Sequence, residues 1–266
     1  MTLHLPQVTL CAVTSVNLAA TLRALESSMS QIRFGACKLL TDHKIIHVNP
    51  QLQIVPIAPL RSAADYSAIM LNELRNHIDT PHCLIVQWDG HVLEAKRWRP
   101  EFLDYDYIGA SWPQFDDGYD VGNGGFSLRS QRLLNACVEP DFRGGHPEDV
   151  VISRTNRRWL EDQGMRFADS NLADVFSTER AGDLGQSFGY HGVFNMPRAL
   201  GTNSFWEIYR QLDDVATLKH DFSAILGEVV RGKAGVYRAT RMIFDKLRFS
   251  LRSLASPVKH DRSLSR

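Results

Sequence analysis

Val121-Gly-Asn-Gly-Gly-Phe-Ser-Leu-Arg129 is the stretch from which the rest of the chain can be read. An Asn-Gly-Gly turn lets backbone approach a ligand where side chains would block it, and Phe126, Ser127 and Leu128 then re-enter a buried strand. His146-Pro-Glu-Asp149 follows downstream. Glu148 and Asp149 come after a proline and before Val150, Val151 and Ile152, which predicts the first turn of a helix, where carboxylates are electrostatically favoured. A glycine turn of this kind suits a sugar or a phosphate. Two acids at a helix mouth can serve a hydroxyl group.

Upstream, Val8-Thr-Leu-Cys-Ala-Val13 reads as a buried first strand, and Leu18, Leu22, Leu25 and Met29 follow at helical spacing. This is a β-loop-α opening, and in an open α/β sheet ligands bind beyond the carboxyl ends of the strands. Thr14, Ser15 and Asn17 are therefore expected near the site, with Asn17 equally suited to capping the helix. Cys37 to Asp42 reads as a second strand, Asp42 serving a nucleoside or simply closing a turn. Gln53 to Ile57 is a third strand, and Leu71, Leu74 and Ile78 mark a helix that stops at Thr80-Pro81. Cys83-Leu-Ile-Val-Gln87 has the strongest strand character and runs straight into Trp88-Asp89-Gly90. Asp89 can hold a cation that bridges a diphosphate, or it can be ordinary Asp-Gly turn chemistry. Phe167 to Phe176 contains a late strand. The Gly-rich 181–186 loop suggests a lid, and His191, set between Tyr190 and Gly192, can complete the coordination of an ion already bound by Asp89 and phosphate oxygens.

At 266 residues, 44% hydrophobic and 23% charged, the chain can bury a full core. The four cysteines at 11, 37, 83 and 137 form no CxxC pair, which argues against a disulfide frame and fits a reduced, cytoplasmic setting. No leader pattern opens the chain, and no apolar run approaches the roughly 18 residues of a membrane span. The zero net charge conceals an asymmetry. From residue 229 onward ten Lys or Arg face Asp245 and Asp261, so the tail carries +8 and residues 1–228 carry −8. Val236, Ile243, Leu247, Leu251 and Leu254 share one stripe there, with Arg241, Arg248 and Arg252 on another. Such a helix can lie peripherally on an anionic membrane surface, or pack on the domain and leave its basic face in water. No basic block interleaved with aromatics points to nucleic acid.

Six segments in order resemble a family of mostly uncharacterised bacterial and fungal proteins classed as GT-A-like glycosyltransferases. They are Cys83–Val92, Tyr105–Trp112, Val121–Arg129, His146–Val150, Arg166–Ala168 with Phe176–Glu179, and Phe188–Gly192. The resemblance covers residues 8–195. It implies an α/β, GT-A-like (Rossmann-like) domain over 1–205, with a mixed, mostly parallel sheet flanked by helices, and leaves a helical, basic extension over 206–266. The Gly-Gly and Glu-Asp elements are also similar to those of the inverting β-galactosyltransferases. By that likeness Asp149 is the base and Glu148 the acceptor-binding partner. The acidic metal motif falls at Gln87-Trp-Asp89, with Gln87 where the first acid usually stands, and His191 matches the histidine that closes the metal site. The implied reaction moves a sugar from a nucleotide-diphospho-sugar, a UDP-sugar foremost, to a hydroxyl of a saccharide or lipid-linked saccharide. Inversion is expected, Mn2+ or Mg2+ assists, and the setting is polysaccharide or O-antigen synthesis. Thr14, Asn17, Asp42, Gln87, Asn123, Gly124 and Gly125 would bind the donor. A nucleotidyltransferase and a non-catalytic saccharide- or membrane-binding protein are the competing readings.

Overall fold

The computed structural model describes residues 2–45 and 49–255. Its strands are β1 (Leu3–Val13), β2 (Ile32–Thr41), β3 (Leu52–Pro56), β4 (His82–Val86), β5 (His91–Val92), β6 (Tyr107–Ile108), β7 (Phe126–Ser130), β8 (Ser177–Thr178) and β9 (Gly189–Tyr190). The helices are α1 (Leu18–Met29), α2 (Ala63–Ala68), α3 (Gln131–Ala136), α4 (Glu148–Val150), α5 (Arg157–Asp162), α6 (Ser170–Phe176), α7 (Met196–Leu200), α8 (Thr202–Tyr209), α9 (Phe222–Val230) and α10 (Gly235–Ala255).

The main sheet runs β3-β2-β1-β4-β7-β6. β1 pairs in parallel with β2 and β4, and β2 with β3, whereas β7 runs antiparallel to both β4 and β6. The mixed, mostly parallel α/β sheet flanked by helices is thus as the sequence predicts. Central strands covered on both faces must be apolar throughout, and β4 shows it. Leu84 and Val86 join a core with Leu10, Leu39 and Phe126, while Cys83 and Ile85 join another with Cys11, Leu40 and Leu74. All four cysteines are buried free thiols. A small sheet, β5-β9-β8, sits beyond the end of β4.

Two local expectations are corrected. The segment from Phe167 to Phe176 is a helix over most of its length, because Asp169 caps α6 by accepting from the Leu172 N–H (2.9 Å). The 181–186 loop is pinned rather than a free lid: Arg97 Nη1 donates to the Leu184 and Ser187 carbonyls, and Phe188 is buried in the core.

The extension is docked, and helix α8 runs without a break across residue 205. Phe205, Ile208, Tyr209, Ile225, Val229 and Met242 share one apolar cluster with Ala20 and Tyr190 of the sheet domain. Asn17 fastens the two together. Its backbone is left-handed (φ 53°), a conformation asparagine tolerates, and its side chain makes no cap bond to α1. Instead Oδ1 accepts from the N–H groups of Asp213 and Asp214, and Nδ2 donates to the Asp214 carbonyl. In α10, Ala239 and Met242 face inward while the stripe of Val236, Ile243 and Leu247 faces outward. Packing of that stripe against the domain is therefore not what is found. The side chains of Leu251, Arg252 and Leu254, and residues Lys259, Arg262 and Arg266, lie outside the described part of the structure.

Asn17→Gly keeps the left-handed backbone accessible and removes the side-chain bonds, taking away the acceptor of the Asp213 and Asp214 amides. The variant should lose about 2 kcal/mol of stability in thermal unfolding and become more sensitive to limited proteolysis in the 210–220 segment.

Candidate active site

β4 and β7 pair antiparallel with Val86 opposite Phe126. The residues that leave β4, Gln87 to Asp89, are therefore held beside those that enter β7, Asn123 to Gly125. A cleft of about 480 Å3 opens here, lined by Thr14, Ser15, Tyr66, Gln87, Asn123, Gly124, Gly125, Glu148, Asp149 and His191.

The glycines are required here by space. A Cβ on Gly124 would fall 2.6 Å from Glu148 Oε1 and 3.1 Å from the Asp149 Cβ. One on Gly125 would fall 2.0 Å from His191 Nε2. The turn thus lies between the acid pair and the histidine, touching both. Asn123 fixes its shape, its Oδ1 accepting from the Gly125 N–H (3.1 Å).

On one side of the turn, Glu148 is buried and fully engaged. Arg129 Nη2 donates to its Oε1 (3.2 Å), the Ser67 hydroxyl lies 3.3 Å from its Oε2, and its own N–H donates to Ser67 Oγ. Arg129 is completely buried, bonded through Nε to Ser127 Oγ and stacked 5.5 Å from the Tyr107 ring. Burial works against the guanidinium charge, but the Glu148 carboxylate bonded to it holds it firmly protonated. Asp149 keeps a face toward the cleft. Gly124 N–H donates to its Oδ2 and Val150 N–H to its Oδ1. Burial, and then the neighbouring Glu148 charge, push its carboxyl up to about 6, against the pull of those amides and Arg129.

On the other side, His191 stands between two carboxylates, Nε2 at 3.4 Å from Asp89 Oδ1 and Nδ1 at 3.4 Å from Glu179 Oε1. Gln87 Oε1 is 3.3 Å from Nε2, while Gln87 Nε2 donates to the Tyr66 hydroxyl. Burial alone would lower the imidazole; Asp89 and Glu179 outweigh it and hold it up at about 10. Asp89 Oδ1 and His191 Nδ1 are buried without an aligned hydrogen-bond partner. Among the described residues no group of three or more His, Cys, Asp or Glu is arranged to hold a metal ion by itself. Asp89 and His191 fit a cation that draws its remaining ligands from a bound diphosphate, as hard divalent ions commonly do, and that on binding would displace the imidazole proton which the two carboxylates otherwise hold.

Of the residues singled out in the sequence, Thr14, Gln87, Asn123, Gly124, Gly125, Glu148, Asp149 and His191 share the cleft, and Asp89 touches it through His191. Asn17 and Asp42 do not line it. Asn17 is committed to the 213–214 loop, and Asp42, one residue past β2, lies beside His43 (4.0 Å). The Thr14 hydroxyl turns back to the Val16 carbonyl. Sequence reading missed Tyr66, Ser67, the partner of Arg129, and Glu179. The first two sit within α2, far from any motif. Arg129 and Glu179 stood inside quoted motifs, yet nothing in one sequence says what a side chain will face.

Arg129→Met should destabilise the protein by about 3–5 kcal/mol, because it leaves the Glu148 charge buried and alone. Adding Glu148→Met should restore much of that loss. Asp149→Asn should have the opposite sign. A carboxyl raised from its ordinary value favours folding only while protonated, so the amide should stabilise by about 1–2 kcal/mol at about pH 8 and by nothing below about pH 4. Chemical denaturation at the two pH values measures both.

No curated protein matches the chain. Among solved structures, the mannosyltransferase PcManGT from Pyrobaculum calidifontis, in complex with GDP-Man and Mn2+, aligns with TM-score 0.39 at 11% identity over 91% of this chain and 75% of that one. The glycosyltransferase GlyE of Streptococcus pneumoniae TIGR4 in its apo form aligns with TM-score 0.42 at 12% identity over 82% of this chain and 63% of that one. A197 from STIV aligns with TM-score 0.34 at 11% identity over 62% and 82%. The family described as "Protein of unknown function (DUF5672)" matches residues 49–191, more than half of the sequence, and the chain belongs to that family.

Proposed function

We propose that the protein is a glycosyltransferase that moves a sugar from a nucleotide-diphospho-sugar to an acceptor hydroxyl with inversion. The observation that carries this reading is the Gly124–Gly125 turn, which has the Asp149 carboxylate on one side and on the other His191, the partner of Asp89, in one cleft. The six motifs resembling GT-A-like glycosyltransferases support it, since four of them contribute residues to that cleft.

Asp149 is the general base. Its carboxyl, raised to about 6, is ionised at neutral pH yet basic enough to take a proton from an attacking hydroxyl, a contribution typically worth about 10²- to 10⁴-fold. Glu148 has both oxygens engaged, so its role is revised from gripping the acceptor to fixing the helix mouth through Arg129 and Ser67. The donor diphosphate lies toward Asp89, Gln87 and His191, and a divalent cation there, when bound, neutralises charge on the leaving group. The nucleoside, uridine foremost, lies toward Thr14, Ser15 and the Leu60–Ala63 wall. Gly124 and Gly125 leave room for the donor to lie against backbone, where a side chain would exclude it. A saccharide or lipid-linked saccharide is the acceptor, and polysaccharide assembly is the proposed setting.

Incubation with a panel of nucleoside-diphospho-sugars and Mn2+ should release nucleoside diphosphate. Pyrophosphate release would instead indicate nucleotidyl transfer, and saturable binding with no product a non-catalytic protein. Asp149→Asn should lower kcat by at least about a hundredfold with KM little changed. The wild-type rate should rise with pH through about 6, as Asp149 loses its proton. Full activity in Asp149→Asn would reject an inverting mechanism through this residue.

A further inference from the structure

Helix α10 carries five Lys or Arg against the single acid Asp245 over Gly235–Ala255. Its inward contacts are made by Ala239 and Met242, by Arg238, which donates to the Thr202 carbonyl and lies over the Trp206 ring, and by Lys246 over the Phe222 ring. The opposite face leaves large apolar side chains in water: Val236 is 73% exposed, Tyr237 69%, Phe244 59% and Leu247 54%, with Ile243 between them. At 100° per residue these fall within one continuous stripe, and Arg241 and Arg248 run along its edge. Beside that edge, between α8 and α10, opens a cavity of about 640 Å3 whose lining includes Trp206, Tyr237 and Phe249, the three arginines Arg210, Arg241 and Arg248, and the two acids Asp213 and Asp245. Arg241 is paired with Asp245 (3.1 Å), which also accepts from the Tyr209 hydroxyl. Arg210 and Arg248 form no ion pair among the described residues.

We propose that this face is a docking surface for an anionic phospholipid bilayer. The apolar stripe inserts in the plane of the interface, and Arg210 and Arg248, at the mouth of the adjoining cavity, meet headgroup phosphates. Charge complementarity selects this occupant. A second copy docked face to face would set a cationic edge against a cationic edge, with Asp245 already used internally and no other acid on the helix to offset it. A membrane supplies the missing anions together with an apolar layer, and aromatic side chains such as Tyr237 and Phe244 suit that boundary. No helix among the described residues is long and apolar enough to cross a membrane, so α10 lies on the surface and does not span. Of the two readings its sequence allowed, the basic helix packs on the domain and still offers an apolar face outward. This surface is independent of the proposed transfer reaction.

The test is co-sedimentation of the full chain with vesicles of phosphatidylcholine alone and with about 30% phosphatidylglycerol, at low and high salt. The protein should partition to the anionic vesicles and release with salt. Arg248→Gln should weaken partitioning about fivefold, and Phe244→Glu with Leu247→Glu at least about tenfold. The three altered residues are exposed and none lines the cleft, so an unchanged unfolding temperature will show that the fold is intact. Equal binding to both vesicle types, no binding to either, or binding unaffected by the double variant would overturn the proposal. So would a wild-type dimer in gel filtration that the double variant splits, which would assign the face to a second copy. Vesicle binding needs no turnover, so its outcome and that of the transfer assay are read separately.

Discussion

The buried pair of Arg129 and Glu148 constrains the rest of the site. A guanidinium with no exposed surface is tolerable only if its charge is met where it stands, and here it is met by a carboxylate from a distant helix mouth, by Ser127, and by the Gly124 carbonyl. Arg129 lies on β7, in the middle of the antiparallel seam between β4 and β6. The ion pair therefore ties α4 to the sheet at one fixed point. Asp149, the next residue, has no freedom left: its Oδ2 is held by the Gly124 amide, and its other face opens on the cleft. Burial, and then the Glu148 charge beside it, raise its proton affinity. A structural requirement, neutralising Arg129, thus adds to the tuning of the group that can act as a base.

The change of direction within the sheet does the complementary work. Had β7 run parallel to β4, residues 123–125 would lie at the opposite end of the strand from Gln87, about 16 Å away for five residues at roughly 3.3 Å each. The antiparallel register places Val86 against Phe126, and both the β4 exit and the β7 entry open on the same side. That edge is also where parallel β1 ends at Val13, so the Thr14–Val16 loop joins the same cleft. One antiparallel strand in an otherwise parallel core thus collects residues from four distant segments.

Much of this could be read from the sequence, and the failures have a common cause. Apolar runs in Val8–Val13 and Cys83–Val86 announce central strands, and the proline before Glu148 announces a helix mouth, because those signals are local. Partner choice is not local. Arg129 gave no hint of Glu148, and Ser67 sits on a helix with no motif at all. Asn17 suits a cap or a site residue by its sequence context, and its side chain is used instead by a loop almost two hundred residues later. The stripe on α10 shows the same limit: its period is visible, but whether it faces inward or outward depends on where Ala239 and Met242 find a surface.

Packing also changes how the extension after residue 205 should be regarded. Tyr190, which precedes His191, belongs to the apolar cluster built by α8, α9 and α10, and Trp88, which precedes Asp89, packs against the same cluster. Both members of the candidate cation pair are therefore backed by the extension, while Asn17 ties the loop next to Thr14 to residues 213 and 214. Side chains aimed into a cleft hold their positions only as well as the residues behind them are packed. The helices that look appended in sequence form the rear wall of the site, and the face of α10 turned away from it remains free for another surface.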